Sequence, residues 1–172
     1  AEYFLRFPAR RKYCYSAKSG LNPAESGKSG RKFIKAADVE ISNRGIEFTI
    51  DNIKFHLSLL GGFNVYNALA AICVGLSQGI SLEISKKALE KAKGVPGRME
   101  IVVKEPFAVI VDYAHTPDSL AKVYQTIRNS VLRNPPSAIR PPHSKMICVL
   151  GSCGGGRDKW KRPVLGKIAA EY

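Results

Sequence analysis

The amino-acid sequence predicts an α/β fold, and three patterns support that prediction. Apolar and polar side chains alternate over residues 46–59, which is typical of a β-hairpin. Apolar residues then recur at helical spacing over residues 65–92. From residue 107 onward the order is apolar strand, helix, apolar strand and helix. Strand, helix and strand at this length indicate a right-handed crossover and a parallel sheet.

The predicted hairpin has two arms and a short turn. Phe48 and Ile50 alternate with polar neighbours on the first arm. Asp51-Asn52 can turn between the arms, since both residue types favour tight turns. The apolar residues of the second arm are Ile53, Phe55, Leu57 and Leu59.

Two helices are predicted next. The first ends at Gly79, and its apolar stripe comprises Val65, Ala68, Leu69, Ile72, Cys73 and Leu76. The second has Ser81 as its N-cap and ends at Gly94. Its apolar face is expected to comprise Ile84, Ala88, Leu89 and Ala92. Val95-Pro96-Gly97 then breaks the chain, which predicts one domain over 1–97 and another over 98–172.

The second half begins with a buried strand over residues 107–111. Thr116 is predicted to cap the following helix, with Pro117 at its first position. The buried face of that helix is expected to comprise Leu120, Val123, Tyr124, Ile127 and Val131. A proline-rich surface loop over 134–143 leads to a second buried strand over 146–150, and a last helix starts near Pro163.

Composition limits the possible classes of protein. Hydrophobic residues make up 45% and charged residues 24%, which is typical of a soluble globular chain. No apolar run approaches the ~20 residues of a membrane span, and the first residues do not resemble a signal peptide. The net charge of +13 indicates either a polyanion-binding protein or one piece of a larger protein whose acidic parts lie elsewhere. The basic residues are not interleaved with stacking aromatics, which disfavours a nucleic-acid site.

The sequence argues against a zinc site and against a phosphate-binding P-loop. The four cysteines form no CxxC pair, which argues against zinc, and Cys73 and Cys148 are interpreted as small core residues in a reducing cytosol. Residues 16–36 are rich in Ser, Gly, Lys and Asn and are predicted to form an exposed loop. Within it, residues 25–29 resemble the end of a phosphate-binding P-loop. However, Asn22 stands where that motif requires Gly, and no buried strand precedes it, so we reject a P-loop here.

Asp112 and His115 are the first candidates for chemistry. Asp112 ends a predicted strand and His115 lies on the next loop, and strand ends of this kind face the ligand crevice of an open α/β sheet. A carboxylate can accept hydrogen bonds from ribose hydroxyls, and histidine can contact phosphate or a reacting carboxylate. Alternatively, the two residues cap the next helix and satisfy the loop.

Three further residues are candidates. Arg157 lies in a glycine-rich turn over 151–158, where backbone N–H groups and a planar guanidinium suit a carboxylate or phosphate. The alternative is a flexible turn with a solvated arginine. Asn67, in the first turn of its helix, can be a plain capping or surface residue, and Arg98 can simply pair with Glu100. Spacing alone gives neither of them a function.

Four blocks carry a family resemblance when they are taken together. In chain order they are GFNVYNALAA at 62–71, GVPGRME at 94–100, VDYAHTPD at 111–118 and GGRDKWKRP at 155–163. Their order and spacing resemble the Mur ligase family, above all its UDP-N-acetylmuramoyl-tripeptide synthetase branch. The resemblance covers residues 40–172 and 1–15, whereas 16–36 match poorly. It implies the end of a central ATPase domain followed by the start of a Rossmann-like C-terminal domain, with ATP between them.

The resemblance also implies roles for five residues. Asn67 would contact the adenine, and Arg98 and Asp112 would hold ATP near its ribose and phosphates. His115 would be catalytic, near the reacting phosphates and acyl group, and Arg157 would bind the carboxylate of the incoming amino acid. The implied reaction phosphorylates the terminal carboxylate of the precursor and then forms an amide, with Mg²⁺ and positive groups stabilising the developing charge.

Three departures from the family pattern concern the surroundings of Arg157. The glycine-rich turn is one residue longer than the usual one, with Gly156 in place of an Asp, and Trp160 replaces a common Gly.

The resemblance places several parts of the family's machinery outside this sequence. Before Ala1 would lie the P-loop of the family, its Mg²⁺-binding acid and histidine, its modified lysine and its UDP-sugar domain. The motif that reads the third amino acid would follow Tyr172. We therefore expect this stretch to have little or no ligase activity alone.

The resemblance implies partners and a location as well. UDP-N-acetylmuramoyl-dipeptide and a free amino acid are the expected substrates, in a cytoplasmic and monomeric parent protein that binds neither nucleic acid nor membrane. Two alternatives stay open. One is a related amide ligase of the folylpolyglutamate or cyanophycin synthetase type, which shares the Asp112–His115 block, and the other is a non-catalytic basic α/β binding module.

Overall fold

A computed structural model of the chain describes residues 8–17, 31–42, 44–132, 145–151, 156 and 158–172. The rejected P-loop stretch, the predicted proline-rich loop and Arg157 lie outside these residues. The chain divides into two compact units, the first ending at Ala92 and the second starting at Lys93, with residues 42–44 grouped with the second. No helix of the described residues is long and apolar enough to cross a membrane.

The strands of the first unit form two small sheets. Strands β1 (Lys12–Ser16) and β2 (Arg31–Lys35) pair in parallel. The exposed loop predicted over 16–36 is therefore wrong at its C-terminal end, where β2 lies and Ile34 is buried. A three-stranded sheet has the order β3 (Ala37–Ser42), β4 (Gly45–Ile50) and β5 (Ile53–Leu57). The predicted hairpin is thereby confirmed, since β4 and β5 pair antiparallel with Ile50 opposite Ile53.

The turn of the hairpin fixes which side chains meet across it. Asp51 and Asn52 both have positive φ, 46° and 64°, which is the geometry of the two-residue turns that match strand twist. Phe48 is therefore opposite Phe55, and their rings stack in parallel with centroids 5.1 Å apart. Both rings are fully buried, so the turn places the largest apolar side chains of the hairpin in the core.

Two helices cover this core. Helix α1 (Phe63–Ser77) follows the predicted stripe, with Val65, Ala68, Leu69, Ile72 and Cys73 buried. Gly79 beyond its end has a positive φ of 81°, which a glycine adopts without steric cost. Helix α2 (Leu82–Glu90) is capped as predicted, since the Ser81 side chain accepts a hydrogen bond from the Ile84 N–H.

The predicted apolar face of α2 is partly wrong. Ile84 and Ala88 are exposed, whereas Ser85 is buried and Leu82 and Leu89 pack against the core. The buried Ser85 hydroxyl has a hydrogen-bond partner, since it donates to the Ser81 carbonyl at 2.9 Å. Gly75 of α1 lies close to that hydroxyl. Because glycine leaves room there for a small polar residue, the buried face of α2 is centred on Ser85 rather than on Ile84.

The second unit has two strands and two helices. Strands β6 (Glu100–Val103) and β7 (Val109–Val111) pair antiparallel. Helix α3 (Pro117–Thr126) continues into a wider π-helical turn (Ile127–Leu132), and helix α4 (Lys161–Glu171) begins two residues before the predicted start. The predicted buried face of α3 is confirmed for Leu120, Val123 and Tyr124. Ile127 is half-buried, and the side chain of Val131 lies outside the described residues.

The predicted parallel crossover is not observed. β7 is shorter than the predicted strand, its neighbour β6 is antiparallel, and Phe107 is exposed. Residues 146–150 form no strand, and Ile147 and Val149 are almost fully exposed. Cys148 is also exposed, contrary to the core position expected for it, whereas Cys73 is buried. An apolar run becomes a buried strand only when another strand hydrogen-bonds to it, and none among the described residues pairs with this segment.

Candidate functional site

Asp112 joins two loops of the second unit. It directly follows β7, and its Oδ2 atom accepts a hydrogen bond from the Met99 backbone N–H at 2.8 Å. Its Oδ1 atom accepts a second one from the Ala114 N–H at 2.7 Å. Bonds to a charged carboxylate are stronger than neutral ones. The side chain of Asp112 therefore fastens the turn before β6 to the loop after β7.

The turn before β6 has an unusual backbone. Gly97 and Met99 both have positive φ, 71° and 47°, and for methionine that conformation is rare. The Arg98 N–H donates to the Val95 carbonyl at 3.0 Å, and the Gly97 N–H donates to Glu100 Oε2 at 2.7 Å. Glu100 is thus engaged with the backbone of the turn, which differs from the alternative in which it pairs with Arg98.

The Arg98 side chain lies instead over an aromatic ring. Its guanidinium carbon is 4.9 Å from the centroid of the Tyr113 ring, within cation–π range. The ring of His115 is also 4.9 Å from that of Tyr113, tilted by 54°. Arg98, Tyr113 and His115 are all exposed. Two hydrogen-bonding cationic or basic groups are thereby presented to solvent around one tyrosine.

The orientation of His115 follows from its own hydrogen bond. Its Nδ1 atom lies 3.0 Å from the Tyr113 carbonyl oxygen. Because a carbonyl only accepts, Nδ1 must carry the proton of that bond. In the neutral ring, Nε2 then keeps a lone pair that can accept a proton or a hydrogen bond.

Neither Asp112 nor His115 caps α3. The Thr116 side chain accepts a hydrogen bond from the Ser119 N–H at 3.3 Å. The Ser119 hydroxyl oxygen in turn accepts one from the Thr116 N–H, which completes a capping box. The alternative role of helix capping is therefore wrong for both residues. The other part of the alternative, that the two residues satisfy backbone groups of the loop, is confirmed, since each of them forms a hydrogen bond with the loop backbone.

Asn67 belongs to the first unit. It lies on the second turn of α1, slightly further along the helix than expected, and it is exposed. Its Nδ2 atom donates to Asn64 Oδ1 at 2.9 Å, and Asn64 Nδ2 donates in turn to the Leu60 carbonyl at 2.8 Å. These two hydrogen bonds orient the Asn67 amide, and the first of them uses one of the hydrogen-bonding positions of that amide.

Sequence reasoning missed two contributors to this site. Tyr113 and the Met99 N–H have no chemistry that a motif would single out, and the contact between Met99 and Asp112 spans thirteen residues. The described residues contain no group of three His, Cys, Asp or Glu side chains that could hold a metal ion. The candidate site is therefore a set of polar and cationic groups suited to an anionic or hydroxyl-bearing ligand.

The comparisons with known proteins agree on one family. A model of the Mur ligase middle domain matches residues 9–75, and a model of the Mur ligase glutamate ligase domain matches residues 97–172. The chain is 43% identical over 145 residues to the UDP-N-acetylmuramoyl-L-alanyl-D-glutamate–2,6-diaminopimelate ligase of Clostridium tetani, covering 80% of this chain and 27% of the relative. It is 41% identical over 147 residues to the enzyme of the same name from Syntrophomonas wolfei, covering 83% and 28%.

A solved structure shows the fold. The UDP-N-acetylmuramoylalanyl-D-glutamyl-2,6-diaminopimelate–D-alanyl-D-alanyl ligase of Acinetobacter baumannii matches with a TM-score of 0.57 at 22% identity, over 75% of this chain and 32% of that one. The chain spans about a quarter of the length of the curated relatives it matches. Two domain models of the same family follow each other along most of its length, and the chain belongs to the Mur ligase family.

Proposed function

We propose that this chain is part of an ATP-dependent ligase of peptidoglycan precursor synthesis. The reaction adds the third amino acid to UDP-N-acetylmuramoyl-L-alanyl-D-glutamate. The curated relatives support this substrate, since their names specify that precursor and 2,6-diaminopimelate. The observation that carries the proposal is the cluster formed by Asp112, Arg98 and His115, which offers hydrogen-bonding and positive groups side by side.

Two parts of the ligase are assigned to the chain. Residues 1–97 are proposed to be the C-terminal part of the central ATP-binding domain, and 98–172 the N-terminal part of a Rossmann-like C-terminal domain. The family models support this order, since the middle-domain model precedes the glutamate-ligase model along the chain. Ligase activity is proposed for the full-length protein rather than for this stretch alone.

Three residues are proposed to bind ATP. Asn67 can pair with adenine because an amide offers a donor and an acceptor at the spacing of the N6 and N7 atoms. Arg98 presents a planar, permanently charged guanidinium that suits phosphate oxygens. Asp112 accepts from the Met99 and Ala114 N–H groups, and its remaining lone pairs can accept from ribose hydroxyls.

Two residues are proposed to act on the acyl and amino substrates. His115 has its Nδ1 engaged with a carbonyl, so Nε2 is the atom that can take a proton from the incoming amine as it attacks the acyl phosphate. Arg157 is proposed to bind the carboxylate of the incoming amino acid through its planar fork.

The proposed reaction has two steps. The terminal carboxylate of the precursor takes the γ-phosphoryl group of ATP, and ADP leaves. The amine then attacks the acyl carbon, phosphate leaves with the C–O bond electrons, and the amine gives up a proton. Mg²⁺ would neutralise phosphate charge when bound with ATP.

The proposed setting is the cytoplasm, where the precursor and free amino acids are soluble. The parent protein is proposed to be a monomer that binds neither nucleic acid nor membrane. The surplus of positive charge fits such a substrate set, because the UDP-linked precursor and ATP are both polyanions.

Phosphate release by the full-length protein tests this proposal. The assay supplies ATP, Mg²⁺, UDP-N-acetylmuramoyl-dipeptide and one amino acid at a time, with diaminopimelate and lysine in the panel. Release that requires both the dipeptide precursor and one particular amino acid supports the proposal and identifies the third residue. Release that appears only with a folate or another acyl acceptor would assign the chain to a different ligase of the same superfamily.

A further inference from the structure

We propose that Asp112 is a positioning residue that acts through Arg98 and His115. It would hold the turn before β6 and the loop after β7 in one fixed arrangement, so that a guanidinium and an imidazole meet the nucleotide together. This inference rests on the proposed ATP-dependent function. It concerns how the site is held rather than which substrate the ligase uses.

Both carboxylate oxygens of Asp112 accept hydrogen bonds from the backbone. Oδ2 accepts from the Met99 N–H at 2.8 Å and Oδ1 from the Ala114 N–H at 2.7 Å. The Met99 residue is 8% exposed, so its N–H has little access to water as a substitute partner. An unpaired buried N–H is costly. Asp112 is therefore needed by the backbone whether or not a ligand is bound.

The hydrogen bond from the Met99 N–H to Asp112 joins residues far apart in the chain. Within the turn, the N–H groups of Gly97 and Arg98 find acceptors no more than three residues away. The Met99 N–H instead reaches Asp112 at the end of β7, thirteen residues later. Of these three bonds, it is the one that ties the turn to another strand. Without it, the positive φ of Met99 would lose a compensating interaction.

Tyr113 lies between Asp112 and the two groups that Asp112 is proposed to position. It follows Asp112 in the chain, and its ring contacts both the Arg98 guanidinium and the His115 ring, each with 4.9 Å separation. Its carbonyl also accepts the hydrogen bond from His115 Nδ1. Arg98 and His115 therefore rest on one residue whose backbone is fixed by Asp112. A displacement of Asp112 moves both groups at once.

The test is a double-mutant cycle on the KM for ATP of the full-length ligase. Asp112→Asn keeps the size of the side chain but has one acceptor oxygen in place of two. We expect it to raise KM about tenfold, the order of one lost charge-assisted hydrogen bond. In an Arg98→Ala background the same change is expected to raise KM less than about threefold, because one of the two groups on which Asp112 acts is gone and only His115 remains. An equal factor in both backgrounds would overturn the inference.

A deoxyribose substrate separates this role from direct contact. This substrate lacks the hydroxyls that Asp112 is proposed to contact, so a ribose contact cannot contribute to its binding. Asp112→Asn is still expected to raise KM for 2′,3′-dideoxy-ATP, because positioning of Arg98 and His115 does not need the ribose hydroxyls. An effect of Asp112→Asn that disappears with 2′,3′-dideoxy-ATP would show that the ribose contact is the whole role of Asp112 and would overturn the inference.

Tyr113 provides variants that leave the carboxylate in place. Its side chain is 58% exposed, so folding is not expected to depend on it. Tyr113→Leu removes the ring and is expected to raise KM for ATP about threefold, while Tyr113→Phe keeps the ring and recovers most of the loss. The matched control is Arg128→Ala, since Arg128 lies 5.8 Å from the Tyr172 ring in the same unit and has no proposed role. An equal rise in KM for Tyr113→Leu and Tyr113→Phe would contradict the role of the Tyr113 ring in supporting Arg98 and His115.

Hydrogen exchange tests the arrangement independently of activity. In the full-length protein, Asp112→Asn is expected to speed amide exchange in peptides covering 97–100 and 113–115, whereas Arg128→Ala leaves them unchanged. Unchanged exchange in Asp112→Asn overturns the inference. Faster exchange in a protein that releases no phosphate with any precursor supports the positioning role and rejects the proposed function, so the two can fail separately.

Discussion

The two units of this chain are held by different interactions. Of the seventeen buried apolar side chains among the described residues, twelve form the core of the first unit, and the other five, in the second unit, are Met99, Leu120, Val123, Tyr124 and Leu165. The first unit is thus fixed by hydrophobic burial. The part of the second unit that carries Arg98, Asp112 and His115 is fixed by carboxylates that bind backbone N–H groups.

This difference separates stability from chemistry. A packed apolar core holds its shape but offers no polar group to a ligand. The loops around Asp112 keep polar groups at the surface, and they need hydrogen bonds to hold them there because little apolar area is buried. The comparison predicts that core substitutions in the first unit affect folding most, whereas those around Asp112 affect ligand binding most.

The largest expected effect on stability comes from the hairpin core. Phe48→Ala removes a fully buried ring that stacks on Phe55, and we expect it to lower the free energy of unfolding by about 3–5 kcal/mol. Phe107→Ala is the matched control, because Phe107 is 67% exposed in the second unit, and its effect is expected to stay within about 0.5 kcal/mol. Urea denaturation measures both, and similar losses would contradict the comparison.

A smaller effect is expected at the start of α3. Thr116→Ala removes the side chain that accepts from the Ser119 N–H, which typically costs about 1 kcal/mol of unfolding free energy. Thr116→Ser keeps the accepting oxygen and is expected to retain most of the stability. Thermal denaturation monitored by circular dichroism distinguishes the two, and an equal loss in both variants argues against the cap.

The smallest effect is a pH dependence in the second unit. Burial, together with the hydrogen bond to the Cys148 thiol, raises the pKa of the Tyr124 hydroxyl above its usual value. The folded chain therefore keeps the Tyr124 proton at pH values where the unfolded chain has lost it. The resulting stabilisation is fully present below the unfolded pKa of about 10 and is lost as pH rises above it.

Tyr124→Phe removes this titrating group. We expect the free energy of unfolding of the wild type to fall more steeply above pH ~10 than that of the variant, whereas their difference stays constant between pH 7 and 9. Urea denaturation across this range provides the measurement. Parallel curves at alkaline pH would show that Tyr124 does not ionise on unfolding there.

In the first unit the sequence predicted the hairpin and the first helix well because their signals are local, whereas it did not predict β1, β2 or β3. The hairpin follows from the alternation of apolar and polar residues, and α1 follows from helical periodicity. The burial of a residue such as Phe48 follows from its place on the apolar face of its own strand, whichever element covers that face. The face of α2 was predicted less well, since the approach of Gly75 to Ser85 decides it and that contact joins two helices. The apolar run over 146–150 failed as a strand prediction because pairing depends on a neighbouring strand, which composition does not reveal.

The candidate site was predictable only in part. Asp112 and His115 stand out because polar residues at the end of an apolar strand are conspicuous. The partner of Asp112 is a backbone N–H, and every residue but proline has one, so no pattern distinguishes Met99. The position of Arg98 over Tyr113 likewise depends on the positive φ values of the turn between Val95 and Glu100. Tertiary geometry, rather than residue type, builds this part of the site.

The most direct test of this account compares two arginines of the second unit, each of which lies over a tyrosine ring. Binding of a non-hydrolysable ATP analogue to the full-length protein is measured by calorimetry for Arg98→Ala and Arg128→Ala. We predict that Arg98→Ala weakens binding about tenfold or more, as for a lost charge-assisted contact to phosphate, while Arg128→Ala stays within about twofold of the wild type. Equal affinities of the two variants would contradict the claim that the loops around Asp112 hold the nucleotide.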